Sequence, residues 1–469
     1  MKTVTTRSHW KSRFGFVMAA AGSAIGLGNI WKFPYICGEN GGGLFVLIYL
    51  ACIALVGLPI MIAEVLIGRT AQRSPVGAFR ELSAPRSPWL GVGWLGVASA
   101  FVILSFYSIV AGWALHYIIL SARGTFSGME PAAIRDAFGG VAGSGSVSSA
   151  WHLVFMIVVT LMVMGGVQRG VERWNRILMP LLMAMLAVLL VKAMTMEGFG
   201  QGVEFVFKPR PERLSGGAVL EALGHSFFTL SLGMGAMLTY GSYLRDSDDV
   251  MSSSAMIAFF DTLIALMACL ILFPITFTFG MEAAAGPGLV FQNMSIAFTQ
   301  MPGGRFWASL FFMLISFAAM TSAISLLEVA VSYFIDEMKW TRAKASVVCG
   351  TSIFLLGIPS ALSSQVAFFG KDGVGIWIAK IPLLSGGQAM GWFDFFDHIS
   401  ANWMLPLGGL GIALFMSWRV GRHAREEAFR SGSRWGRCYW GWMYLLRFFV
   451  PIAVLVVFLH AVGWLNFPA

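Results

Sequence analysis

Apolar residues run through this chain in long stretches of about 20 positions, separated by short polar segments, and that is the length needed to cross the hydrocarbon core of a bilayer. In order they predict spans at about 14–36, 44–67, 92–120 and 151–164, a fifth whose start is bracketed by Gly170 and Pro180, then 218–243, 255–279, 306–335, 345–361, 398–418 and 445–465. The sum is about eleven membrane helices in an all-α polytopic bundle, a single domain over residues 1–469.

Two of the stretches are poor helices. Residues 20–29 read AAGSAIGLGN and residues 227–235 read FFTLSLGMG, placing glycines and small polar side chains in the middle of span 1 and span 6. Glycine disfavours a helix interior by about 1 kcal/mol, so both helices are predicted to break. Broken backbone is tolerated at membrane depth only where it is buried in protein or lines a cavity. Interrupted helices at corresponding places in two halves are the sequence pointer to a secondary transporter's binding site. Because five is odd, spans 1–5 (about 14–195) and 6–10 (about 218–418) would be repeats in opposite orientation, with 445–465 as an extra span.

Charge adds a direction. The chain is 57% hydrophobic and 12% charged, with a formal net charge of +9, and its basic residues fall in alternate loops. That is positive-inside patterning rather than a nucleic-acid surface. Lys2, Arg7, Lys11 and Arg13 place the N-terminus in the cytoplasm, Arg419 to Arg437 keep the loop between spans 10 and 11 inside, and the C-terminus falls outside a plasma (inner) membrane. A polar N-terminus leading straight into span 1 predicts that this span is retained. Residues 124–149, rich in Gly and Ser, read as an external loop. The five cysteines have no metal-ligand spacing and read as free thiols.

A broken helix exposes carbonyls on one half and N–H groups, with a positive dipole end, on the other. Carbonyls suit a hard cation and N–H groups a carboxylate, so together they suit an amino-acid zwitterion with sodium. The nearby side-chain oxygens are Ser23 and Asn29 in span 1, Thr229 and Ser231 in span 6, Asp261 in span 7, and Thr321 and Ser322 in span 8. Any one of them could simply bond back to its own helix. Ionisable groups inside a span mark function by default. Asp261, Glu64 and Glu328 meet that criterion, and Glu64 is read either as an ion contact or as holding the loose backbone of a broken helix. His116, His225 and His398 lack metal spacing. No Ser/His/Asp arrangement, HExxH or phosphate loop is present, so the chain does not read as an enzyme.

The stretches RSHW (7–10), GSAIGLGNIWKFPY (22–35), ENGGG (39–43) and FFTLSLG (227–233) resemble the neurotransmitter:sodium symporter family, in its bacterial amino-acid branch with eleven spans. The resemblance implies a LeuT-type five-plus-five inverted repeat and Na⁺-coupled uptake of a neutral hydrophobic L-amino acid by alternating access, with two sodium ions and no obligate protein partner. One sodium site would use Ala24, Asn29, Thr229 and Asp261. The second would use Gly22, Ile25, Ala318, Thr321 and Ser322. The substrate would meet Ser23, Ala24, Gly28, Ile103, Tyr107 and Phe228, and on its other side Thr229, Ser231, Met234, Ser322, Ser325 and Leu326. Asp261 stands where relatives commonly carry Asn, which implies chloride-independent transport. Gly26 stands where monoamine carriers place Asp, which implies a substrate with its own carboxylate. Arg7, Trp10, Tyr243 and Asp336 match a cytoplasmic gate closed by an Arg7–Asp336 pair, and Gly170 with Pro180 resembles a signature for unwinding span 5. At the outer gate Lys32 replaces the usual Arg and Ser400 its Asp partner. That leaves either a looser Lys32–Asp397 gate or no direct pair. A proton-coupled or exchanging carrier of the same architecture is the alternative reading.

Overall fold

The structure is a computed structural model that describes residues 8–211, 214, 217–281, 289–385, 387–461 and 464–465. Among these, nine helices are long and apolar enough to cross a membrane, ten when the bent pair Arg13–Ala24 and Gly28–Glu39 is taken as one span. A second interrupted pair, Ala218–Thr229 and Ala236–Gly241, occupies the place of span 6. The remaining spans are Gly43–Ala71, Leu90–Arg123, Gly145–Met164 and Val167–Met194 in the first half, followed by Val250–Thr278, Gly304–Met338, Arg342–Leu362, Trp392–Arg419 and Gly436–His460.

Capping explains several boundaries. Ser12 accepts from the Gly15 N–H at the start of span 1, Asp249 from the Ser252 N–H at the start of span 7, and Thr341 from the Lys344 N–H at the start of span 9. Each satisfies an N–H group that the first turn leaves without a partner. Gly124, at φ +70°, ends span 3 in the left-handed conformation that favours glycine.

Spans 3 and 8, at 34 and 35 residues, pack along each other through the centre. Their apolar windows are 78% and 83% buried, against 33% for span 11 at the rim. Burial on all sides is why these two helices show no polar face. The first half of span 1 lies against spans 5, 7 and 8, and the second half of span 6 against span 2. There Gly68 leaves no room for a Cβ, which would sit 2.0 Å from the Leu238 carbonyl oxygen.

The basic segments converge on one end. Arg69 donates to the carbonyls of Asp248 and Ala428, Arg13 to Ser253 Oγ, Arg419 to the Ser83 carbonyl, and Arg80 pairs with Glu337. At the opposite end Asn40 meets Glu221, Arg305 meets Ser127, and Gln365 accepts from the Gly145 N–H.

Three expectations are corrected. Residues 124–149 are not all loop: they contain the helix Pro131–Gly143, and span 4 begins at Gly145, where Ser144 caps it, six residues before 151. Span 10 begins at Trp392 rather than His398. Span 11 is Gly436–His460 rather than 445–465, its first turns formed by Trp and Tyr. At the basic end of span 5 residues Val167–Glu172 form a π-helical turn, and Pro180 lies inside the following helix, Arg173–Met194. A π turn is a widened helix, and such turns concentrate at functional sites.

Candidate functional site

Span 1 leaves the α-helix at Ile25, whose backbone is extended at φ −78°, ψ 100°. It resumes as a π turn at Gly28–Lys32. The Gly26 N–H, which the break would leave without a partner, donates to Asn29 Oδ1 at 3.0 Å. The carbonyls on the other side of the break point at span 8. Ser322 Oγ lies 3.3, 3.0 and 3.3 Å from the carbonyl oxygens of Gly22, Ser23 and Ile25, while Thr321 Oγ1 lies 2.9 Å from Ala318 O and 3.5 Å from Ile25 O. The five residues of the expected second sodium site therefore share one cluster of oxygens.

Span 6 breaks more widely. Ser231, Gly233 and Gly235 all have positive φ, at 54°, 77° and 74°. For Ser231 that conformation costs about 1–3 kcal/mol and persists only where surrounding structure dictates it. What dictates it is visible: the Gly233 N–H donates to Glu64 Oε1 at 2.6 Å, and Ser231 Oγ donates to the Ser23 carbonyl at 2.9 Å. Of the two roles read for Glu64, holding the loose backbone is the one seen.

The two breaks meet. Ser23 Oγ bonds Ser325 Oγ at 2.6 Å and lies 3.2 Å from Ser231 Oγ. Between them is a pocket with about 20 Å³ of free volume, about enough for one water. Ser23, Ala24, Gly28, Thr229, Ser231 and Ser322 form its polar side, and Ile103, Phe228, Met234 and Leu326 its apolar side. Tyr107 completes the polar side, its hydroxyl accepting from the Leu27 N–H at 3.3 Å. Of the twelve residues expected around a substrate, Ser325 alone stands behind the wall, reached through Ser23. Gly26, read above as the position of the monoamine carriers' Asp, lines the pocket as well, as does Leu27, which carried no expectation. A Cβ on Gly26 would lie 2.6 Å from Ser322 Oγ and 3.0 Å from Tyr107 OH, so any side chain there would fill the pocket.

Asp261, fully buried, is the centre of a third cluster. Asn29 Nδ2 donates to its Oδ1 at 2.7 Å and its carbonyl at 3.1 Å, Thr229 Oγ1 donates to Oδ1 at 2.8 Å, and Tyr49 OH donates to Oδ2 at 3.2 Å. Asn29 and Thr229 thus both bond Asp261, while Ala24 lines the pocket. Buried carboxylates persist when partners satisfy them, and here three donors do so. Tyr49 carried no sequence signal of this role, being one aromatic among many in an apolar span.

At the basic end Trp10, 3% exposed, closes the bundle: its indole donates to the Tyr240 carbonyl at 2.9 Å and its backbone N–H to the Tyr243 carbonyl at 3.1 Å. Tyr243 OH donates to Glu328 at 2.6 Å, and Arg342 grips the same carboxylate with two bonds of 2.7 and 2.9 Å. A bidentate Arg supplies the geometry that a buried carboxylate needs. Asp336 accepts from the Ser74 N–H at 2.6 Å. Arg7 lies outside the described residues, as do residues 466–469. At the other end no Lys32–Asp397 ion pair occurs among the described residues. Lys32 Nζ sits 5.2 Å from the centre of the Phe228 ring, and the Asp397 carbonyl accepts from Ser400 Oγ at 3.0 Å. Lysine lacks the fork that holds a carboxylate in a fixed geometry, and the aromatic face takes its place. Of the histidines, His225 is buried between Phe33 and Tyr49, and His398 contacts Asn402.

Comparison with known proteins agrees with this geometry. A family model described as the sodium:neurotransmitter symporter family matches residues 7–130 and 133–371. The chain is 39% identical over 463 residues to YhdH, an uncharacterised sodium-dependent transporter of Bacillus subtilis (strain 168), covering 98% of both. An uncharacterised sodium-dependent transporter of Haemophilus influenzae is 32% identical, with 97% of this chain and 98% of the relative covered. Among solved structures, the crystal structure of MhsT in complex with L-phenylalanine matches with a TM-score of 0.86 and 41% identity, over 97% of this chain and all of that one.

Proposed function

Because the chain belongs to the sodium:neurotransmitter symporter family, we propose that its sodium-coupled transport is the uptake of a neutral, hydrophobic L-amino acid by alternating access, with two sodium ions and without chloride. The family is one of sodium-dependent transporters rather than enzymes, and the architecture is LeuT-type and multi-pass. The observation that carries the finer reading is the pocket where the two breaks meet. Its polar side is backbone, hydroxyls and the Tyr107 phenol, its other side is Ile103, Phe228, Met234 and Leu326, and no ionised side chain lines it. A zwitterion with an apolar side chain fits that division, since the backbone ends receive its charges and the apolar wall its side chain. Met234, flexible and polarisable, adapts the wall to side chains of different shape, up to the size of tryptophan. L-Phenylalanine, held by MhsT, is of this class.

Asn29, Thr229, Asp261 and Ala24 would hold one sodium ion together with the substrate carboxylate, and Gly22, Ile25, Ala318, Thr321 and Ser322 the other. The Asp261 charge takes the part of a bound chloride. The basic end faces the cytoplasm of a plasma membrane, with the C-terminus outside. Each Na⁺ entering down 100 mV releases about 2.3 kcal/mol. Two ions suffice to concentrate a neutral solute roughly a thousandfold before their own gradient is counted.

Uptake of radiolabelled L-leucine, L-phenylalanine and L-tryptophan into proteoliposomes tests this. Accumulation is expected with an inward Na⁺ gradient, to vanish in choline and to persist when gluconate replaces chloride. Equal uptake in choline removes the sodium sites and brings a proton-coupled or exchanging carrier forward. Displacement by glycine or glutamate more strongly than by leucine or tryptophan removes the substrate class.

A further inference from the structure

A second cleft, away from the pocket, opens at the basic end between the strap that precedes span 1 and the π turn of span 5. Its volume is about 460 Å³, and Lys11, Gln168, Arg169, Arg173, Arg176 and Ile177 line it. The strap is fastened to span 5 across this cleft: Gln168 Nε2 donates to the His9 carbonyl at 2.8 Å, and the Lys11 N–H donates to Glu172 Oε2 at 3.1 Å. Glu172 is itself buried beneath the strap and is not among the residues that line the cleft. Among the described residues it pairs with Arg176 at 3.9 Å, while the side-chain charges of Lys11, Arg169 and Arg173 have no acidic partner within 4 Å.

Arg169, Arg173 and Arg176 follow each other at spacings of four and three, on one face of the helix, where like charges repel. With Lys11 opposite, four cations line the cleft and, among the described residues, no acidic side chain does. Beside the arginines and along the next turns of the same helix, apolar side chains are exposed: Trp174 at 37%, Ile177 at 43% and Leu181 at 47%. A cationic recess bordered by a Trp and then by exposed aliphatic side chains has the profile of a headgroup site with acyl chains below it.

We infer that this cleft binds the phosphate of an anionic phospholipid, such as phosphatidylglycerol, in the leaflet at the basic end. The headgroup bridges Lys11 on the strap to Arg169 and Arg173 on span 5. It thereby ties down the segment that carries Trp10, the residue that closes this end of the bundle. A free phosphate ion would satisfy the cations equally, but it gives no role to the apolar flank, and that flank decides for the lipid.

The test uses the full chain, delipidated in a neutral detergent, and native mass spectrometry of retained lipid. Phosphatidylglycerol is compared with phosphatidylcholine of the same chains, and inorganic phosphate is added as competitor. Selective retention of phosphatidylglycerol is expected. Arg169→Gln with Arg173→Gln should weaken it about 25-fold, roughly fivefold for each charge removed. Lys11→Gln, an exposed change that leaves the backbone bond to Glu172 intact, should weaken it about fivefold. Arg434→Gln with Arg437→Gln, which removes two charges from another loop of the same end, should leave it unchanged. Thermal unfolding without lipid monitors folding of each variant. Equal losses in the two double variants would mean a diffuse basic surface and overturn the site. Retention of phosphatidylcholine to the same extent, or full displacement by millimolar inorganic phosphate, would overturn the lipid assignment.

Discussion

The breaks in spans 1 and 6 occupy corresponding places in the two halves, yet they are built differently. Span 1 is interrupted only at Ile25–Leu27 and resumes with a 51° bend as a π turn. Its supports are neutral: the Asn29 amide and the hydroxyls of Thr321 and Ser322, which reach the freed carbonyls. Span 6 is open from Leu230 to Gly235, takes three positive φ angles, and is held by a carboxylate, Glu64, on a freed N–H. The contrast is chemical. A hydroxyl beside a carbonyl can turn its proton away and leave two oxygens for a cation, whereas a carboxylate fastened to an N–H removes that donor from further binding. Span 1 thus keeps oxygens that can be offered to a cation, whereas the wide break in span 6 is held open by Glu64.

The largest effects should follow from unlocking span 6. Glu64→Ala leaves the Gly233 N–H buried without an acceptor, a loss of about 1–3 kcal/mol. Uptake should fall roughly five- to thirtyfold or more as the pocket loses its shape, accompanied by a lower thermal midpoint in detergent. Glu64→Gln, which keeps an acceptor oxygen, should recover a large part of both. Normal uptake by the alanine variant would mean that span 6 holds its own conformation.

Gly233→Ala attacks the same break from the backbone. Its Cβ would lie 2.4 Å from the Leu405 carbonyl oxygen at φ +77°, and the left-handed conformation alone costs a non-glycine residue roughly 1–2 kcal/mol. Gly28→Ala, in span 1, meets the movable Phe228 ring at 3.2 Å and, in ordinary contact, His225 Cε1 at 3.7 Å. The first should lower stability by about 2 kcal/mol or more, and the second should leave the thermal midpoint within a few degrees while shifting substrate preference toward smaller side chains. Thermal melts and competition uptake on both variants measure the asymmetry.

Thr321→Ala tests the exchangeable half. The hydroxyl bonds only the Ala318 and Ile25 carbonyls, so its removal should change folding stability by about 1 kcal/mol or less. The Na⁺ concentration for half-maximal uptake should nevertheless rise about tenfold, equivalent to about 1.4 kcal/mol. An unaltered Na⁺ dependence would place the second ion elsewhere.

How much of this was legible in the sequence follows from what is local. Glycines in an apolar run revealed both breaks, because backbone propensity acts at the residue itself. Asp261, Glu64 and Glu328 stood out because a charge in a span is conspicuous without knowing its partner. The partners were the part that could not be read: Arg342, just past span 8, and Tyr49, in span 2, reach their carboxylates only through the packing of separate helices. The π turn at Val167–Glu172 was foreshadowed by Gly170, yet residue spacing does not distinguish a widened turn from an unwound one. The helix Pro131–Gly143 escaped because glycines and mixed charge made it read as loop.

The smallest expected effect concerns Lys32, on the second half of span 1, where the family resemblance left a choice between a looser gate and none. Its ammonium faces the Phe228 ring of span 6 and not Asp397, and a cation over an aromatic face at a half-exposed position contributes about 0.5–1 kcal/mol. Lys32→Gln should therefore weaken apparent substrate affinity about two- to fivefold. Asp397→Asn should do no more, and the double variant should show the product of the two changes, since residues that do not touch are additive. A coupling energy above about 1 kcal/mol in that cycle would mean that Lys32 leaves Phe228 for Asp397 during transport. Span 1 would then exchange partners at its outer half as well as its oxygens at the break, while additivity confines exchange to the break.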